Sequence, residues 1–88
     1  MQSSLISKIE KAKRYAEQPN RIKISDFVVD FQGEHSDHKV SYESGTWHCS
    51  CNFFAQVGIC SHTLTLQRLF SEMLPEEAIS NILSSYSV

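Results

Sequence analysis

WHCSCNFFAQVGICSHTL, residues 47–64, contains every cysteine of the chain, Cys49, Cys51 and Cys60, together with His62, one of its four histidines. The pattern C-x-C-x8-C-x-H places four soft-to-borderline donors within 14 positions. Three thiolates and one imidazole form a complete tetrahedral set for zinc, of the kind found at closed structural sites. Copper(I) can also use a C-x-C pair, but the histidine and the helix-flanked setting favour zinc.

The spacing predicts how the donors meet. On a strand, Cys49 and Cys51 point to one face with Ser50 on the other. The next eight residues, NFFAQVGI, are expected to loop the chain back, with Gly58 supplying permissive backbone before the second pair. A helical pattern begins at His62, so Cys60 is expected in the loop and His62 in the first turn. Phe54 is expected to pack over the site. His48, beside Cys49, should face away from it.

This arrangement resembles the SWIM zinc finger: C-x-C and C-x-H pairs, Phe54 and Gly58 in the spacer, and an apolar helix from His62. The resemblance covers roughly residues 40–74. It implies a β-hairpin followed by a helix, with Cys49, Cys51, Cys60 and His62 as zinc ligands. SWIM modules occur in plant transposases, bacterial helicase-type ATPases, ubiquitin-ligase-associated proteins and recombination mediators, as DNA- or protein-interaction modules. The residue between the last two ligands is often basic in that family, and here it is Ser61.

A chain of 88 residues supports one modest core, and scaffolds of this size commonly need a staple such as a metal. A hydrophobic content of 41% with 20% charged residues is that of a globular chain, not a disordered one. No apolar run approaches the ~18 residues of a membrane span. The segment MQSSLISKIEKAKR lacks a signal-peptide core, so a cytoplasmic protein is expected. Three cysteines in such a chain suit a metal better than a disulfide framework, which would strand one thiol.

The formal charge of −2 is unevenly spread. Residues 1–23 carry Lys8, Lys11, Lys13, Arg14, Arg21 and Lys23 against Glu10 and Glu17, a balance of +4. Residues 24–88 carry Lys39 and Arg68 against eight acids, a balance of −6. Phosphate affinity comes from Lys and Arg contacts. Any grip on nucleic acid, or on an acidic partner, is therefore expected from Lys8, Lys11, Arg14, Arg21 and Lys23 and not from the finger.

Along the chain, Leu5, Ile9, Ala12 and Ala16 recur at helical spacing with Ile6 and Tyr15 beside them, predicting an amphipathic helix over 1–20 that Pro19-Asn20 ends. IKISDFVVDF, residues 22–31, predicts a strand whose alternation changes phase near Ser25-Asp26, as at a bulge. QGEHSDH is a polar turn, residues 39–42 resume an extended pattern, ESGT turns tightly, and TWHCSC is the third strand. Leu66, Leu69, Phe70 and Met73 then give a helical stripe. Pro75 closes that helix and can open a last one whose apolar side is Ala78, Ile79, Ile82 and Leu83. The expected fold is α+β in a single domain, 1–88: an N-terminal helix (1–20), an antiparallel three-stranded sheet with the finger (22–74), and a C-terminal helix and tail (75–88).

His35 and His38, with Asp37, could hold a second metal, although a polar loop explains them equally. Phe53 and Val57 are the best candidates for an exposed protein contact. The C-terminal helix, poor in charge after its first turn, could pair two copies. Catalysis finds no support: the metal absorbs every thiol, and there is neither a carboxylate pair in an apolar setting nor a glycine loop for phosphate. The sequence thus predicts a non-catalytic zinc module that regulates a nucleic-acid process through protein or DNA binding. A protein adaptor or homodimer without nucleic-acid contact is the alternative.

Overall fold

A two-residue turn sets the sheet. Ser44 and Gly45 both have positive φ, 51° and 78°, as a type I′ hairpin turn requires. They join β2 (Asp37–Glu43) to β3 (Thr46–Cys49), with Glu43 opposite Thr46 and Val40 opposite Cys49. β1 (Phe27–Gln32) pairs antiparallel with the other side of β2, giving the order β1-β2-β3. The structure, a computed structural model, describes residues 3–80. Before the sheet lies α1 (Ser3–Ala16), and after it come α2 (Asn52–Val57) and α3 (Ser61–Leu69). Short 3-10 turns occupy Pro19–Arg21 and Glu76–Ala78. The chain is a small α+β fold.

Alternation along the strands gives the sheet one covered and one open face. Phe27, Val29, Phe31, Val40, Tyr42 and Trp47 lie on the covered face, all buried or half-buried. Val28, Asp30, Gln32, Lys39 and His48 are exposed on the other. Tyr42, Leu74 and Ala78 form the core, and Ile24, Phe27, Trp47, Phe70 and Ile79 pack against it. The rings of Phe27 and Trp47 meet edge to face at 5.5 Å. Phe27 meets Phe70 in the same way at 5.9 Å.

Three hydrogen bonds stitch residues 70–80 across this core. Ile24 N–H donates to the Met73 carbonyl at 2.7 Å. Trp47 Nε1–H donates to the Ala78 carbonyl at 2.9 Å, and Ser80 N–H donates to Oε1 of the fully buried Gln67 at 2.7 Å.

Several boundaries differ from expectation: α1 ends at Ala16, and the expected polar turn at 32–38 is shorter, because Gln32 pairs with Asp37 and Phe31 with His38 so that β2 starts at Asp37. The first strand begins at Phe27 and not at Ile22, because β2 reaches its turn at Ser44 and leaves residues 22–26 nothing to pair with. Ile24 bonds to Met73 instead, and Asp26 Oδ1 accepts from Ser44 N–H at 3.0 Å. The third strand ends at Cys49, and the expected return loop contains α2, which Gly58 closes at φ 83° with its N–H on the Phe54 carbonyl. That left-handed C-cap is the role a glycine fills best. α3 stops at Leu69, which is 67% exposed, so that residues 70–74 can turn over Phe27. Of the expected C-terminal helix, residues 76–78 form one 3-10 turn, and residues 81–88, with Ile82 and Leu83, lie outside the described residues.

α1 has no buried residue. Its end is tied to the following turn by the Arg21 guanidinium, 4.8 Å over the Tyr15 ring. Among the described residues no helix is long and apolar enough to cross a membrane.

Truncating Tyr42 to alanine empties the centre of the core and should lower the unfolding free energy by about 3–5 kcal/mol. Val28→Ala, on the open face, should stay within about 0.5 kcal/mol. Parallel urea titrations of the two variants check the contrast.

Candidate metal centre

Each donor of the Cys-Cys-Cys-His quartet is placed by the end of one element. Cys49 is the last residue of β3. Ser50 N–H then donates to the Lys39 carbonyl at 3.1 Å, while Lys39 N–H donates to Ser50 Oγ at 3.1 Å. This reciprocal pair holds the chain straight for one more residue. Cys51 is therefore still extended (φ −76°, ψ 156°) and turns toward Cys49 although it is no longer in the strand. Cys51 is the N-cap of α2, and its sulfur accepts Phe54 N–H at 3.4 Å. Phe54 reaches the site through this backbone donor, its side chain half-buried.

Cys60 repeats the device as the N-cap of α3. Its N–H donates to Thr63 Oγ1 at 3.3 Å, and the Thr63 hydroxyl donates to the Cys60 carbonyl at 3.1 Å. Cys60 and Thr63 are both buried, at 3% and 1% exposure. The cap fixes Cys60 just outside the helix and His62 within its first turn, as the C-x-H spacing predicts. Two cysteines at helix N-termini put sulfur where the helix dipole favours negative charge.

The four donor atoms lie within 4.8 Å of one another. His62 Nδ1 is 3.5 Å from Cys49 Sγ and 3.8 Å from Cys60 Sγ. Metal–sulfur bonds of about 2.3 Å and metal–nitrogen bonds of about 2.0 Å in a tetrahedron set sulfur–nitrogen edges near 3.5 Å. The quartet therefore matches the donor chemistry and the dimensions of a single tetrahedral ion. This Cys3His cluster can hold one metal ion. Among the described residues it is the one group of histidine, cysteine and acidic side chains close enough to do so. His35, Asp37 and His38 accordingly form no second cluster.

Electrostatics decide which donors hold their protons when no cation is bound. Burial pushes the Cys49 thiol from its ordinary 9.0 up to about 12, with the neighbouring Cys51 and Cys60 thiols adding to the rise. For Cys51, burial also resists ionisation, but the Phe54 N–H, the Cys49 and Cys60 thiols and the Phe53 N–H outweigh it and hold its pKa below 9.0. Burial lowers the His62 pKa, and His38 lowers it further. The imidazole thus stays neutral near pH 7, the form a metal needs, while Cys49 keeps its proton until a cation displaces it.

The remaining candidate residues lie elsewhere. Lys8, Lys11 and Arg14 are exposed on α1, and Arg21 and Lys23 are exposed just beyond it. Phe53 and Val57 are each 59% exposed, and at i and i+4 they share one face of α2. Two residues that sequence reasoning did not connect to the site, Phe31 and His38, stand against the His62 ring. Only the strand register brings them there. None of the protein-family models, curated proteins or solved structures compared with the chain matches it.

Binding must remove the Cys49 proton, so affinity falls as pH drops. Each proton displaced makes apparent affinity change about tenfold per pH unit. Cobalt(II) titrations at pH 6, 7 and 8 should show one ion per chain, with an affinity that rises by at least that factor per unit. An affinity independent of pH would show that the thiolates are not the donors.

Proposed function

We propose that this chain is a non-catalytic interaction module stapled by one structural zinc ion, of the SWIM type. The observation that carries the reading is the convergence of Cys49, Cys51, Cys60 and His62 within 4.8 Å. Soft thiolates with one imidazole in a tetrahedral arrangement select zinc among the common divalent ions. Four protein donors fill the coordination sphere and leave no position for a reactive water. The metal's work is then structural, and its binding free energy is folding free energy.

The contact element of this reading is α1. A helix of 14 residues is marginal in water by itself. Here Leu5, Ile6, Ile9 and Tyr15 remain 41–50% exposed along it, so its stability calls for a partner surface. Lys8 and Lys13 flank the Leu5, Ile9 and Ala12 stripe, which suits an apolar protein groove with an acidic rim. The exposed Phe53 and Val57 offer a second, smaller apolar contact. Phosphates alone would leave the stripe uncovered, and this favours protein over nucleic acid.

A nucleic-acid reading has its own support in the run Lys8, Lys11, Arg14, Arg21 and Lys23, all exposed in one segment. In either case the module would regulate a nucleic-acid process, as the SWIM resemblance suggests.

Fluorescence anisotropy of the zinc-loaded chain against labelled DNA and RNA separates the two. The protein reading predicts no saturable binding even at ~50 mM salt, where phosphate contacts are strong. Saturable binding would establish the nucleic-acid reading in its place, provided the salt slope falls when Lys11, Arg14 and Lys23 become alanine.

A further inference from the structure

We infer that Phe31 and His38, a cross-strand pair on the covered face of the sheet, are positioning residues that hold the His62 imidazole with Nδ1 toward the three sulfurs. The inference rests on the metal centre proposed above.

The strand register supplies the geometry. Phe31 of β1 stands directly opposite His38 of β2, and side chains so paired point to one face of the sheet. Both meet the ring that α3 delivers from its first turn. The Phe31 ring lies 4.8 Å from the His62 ring at 64°, an edge-to-face contact. The His38 ring lies 4.5 Å away, tilted by 37°. These separations fall in the range where aromatic pairs attract. The imidazole is thus held by rings from two strands, while its Nδ1 edge faces Cys49 at 3.5 Å and Cys60 at 3.8 Å.

His38 is itself fixed. Its Nε2 is 3.4 Å from Ser36 Oγ. Behind it, Gly33 comes so near that an added Cβ would lie 3.2 Å from the His38 ring and 2.6 Å from the Ser36 carbonyl. The β1–β2 turn, which contributes no donor to the quartet, thereby supports the ring that supports the ligand. An imidazole has two nitrogens that can bind a metal, and a ring free to rotate offers either. Partners that orient ligating histidines commonly raise metal affinity by about 10–100-fold. A ring-to-ring cradle would act in the same way through packing in place of a hydrogen bond.

The test is a double-mutant cycle on cobalt(II) affinity, read by absorption of the cobalt-loaded chain. His38→Ala and Phe31→Ala should each weaken binding by about 10–100-fold, and His38→Phe, which keeps a ring, should recover most of the loss. In a His62→Cys background the site becomes four sulfurs with no ring to orient, and there His38→Ala should leave affinity nearly unchanged. An equal loss in both backgrounds would show that His38 serves the fold at large and would overturn the inference. So would an undiminished affinity with His62 present.

Nitrogen-15 spectra of the zinc-bound histidines give a readout independent of that cycle. The wild type should show His62 as one sharp form protonated at Nε2, and His38→Ala should broaden or double it; the same sharp form in both overturns the inference. Failure of the wild type to bind cobalt(II) or zinc at all would instead refute the metal centre on which the inference rests.

Discussion

Three thiols and an imidazole, drawn within 4.8 Å of each other by the end of a strand and the starts of two helices, form the constraint on which the rest of this structure depends. Without a cation Cys49 keeps its proton near neutral pH, because burial pushes its thiol up to about 12. A divalent ion reverses this by replacing protons with a shared charge. The donors also join parts of the chain that have little else in common. Cys49 belongs to the sheet, Cys51 caps α2, and Cys60 and His62 open α3. A fully ionised quartet around Zn²⁺ carries a net charge of −1, and the capped N-termini of the two helices are suited to bear it.

The apolar core sits beside this site and not around it. Tyr42, Leu74 and Ala78 are its buried members, closed by the segment that follows α3 and by the Trp47 and Gln67 side-chain hydrogen bonds. β2 serves both halves: Tyr42 faces this core, and two residues earlier Val40, fully buried, stands opposite Cys49. Small domains seldom gain enough from burial alone, so a metal at the quartet would share the work of folding with the core. α1 takes no part in either. It joins the fold through the turn after it and leaves its apolar stripe to solvent, and on this observation the proposed contact role rests.

Much of this was legible from local chemistry. The quartet could be read because metal ligands must be particular residues at particular spacings. The Ser44-Gly45 turn could be read because few residues accept positive φ, and the start of α3 because the hydrophobic period changes at His62. What the sequence hid was set by distant partners. Ile22 and Ile24 alternate like a strand, yet β2 ends before it can pair with them, a limit imposed 20 residues away by the hairpin turn. α2 is too short at six residues to declare a period, and its only strong signal, Gly58, reads equally as a loop residue. Leu69 fits the helical stripe by spacing and is nevertheless exposed, because the chain turns at Phe70 to reach Phe27. The approach of Phe31 and His38 to His62 follows from register, which no single segment encodes.

The central claim is that metal ligation by Cys49, Cys51, Cys60 and His62 holds the fold together. Backbone amide spectra of isotope-labelled protein, recorded as zinc is withdrawn by a strong chelator and then restored, test it most directly. The account predicts that withdrawal collapses the dispersed resonances of both β2 and α3 toward unfolded positions, and that restoring one equivalent of zinc recovers them. Spectra that keep their dispersion after complete zinc removal would contradict it.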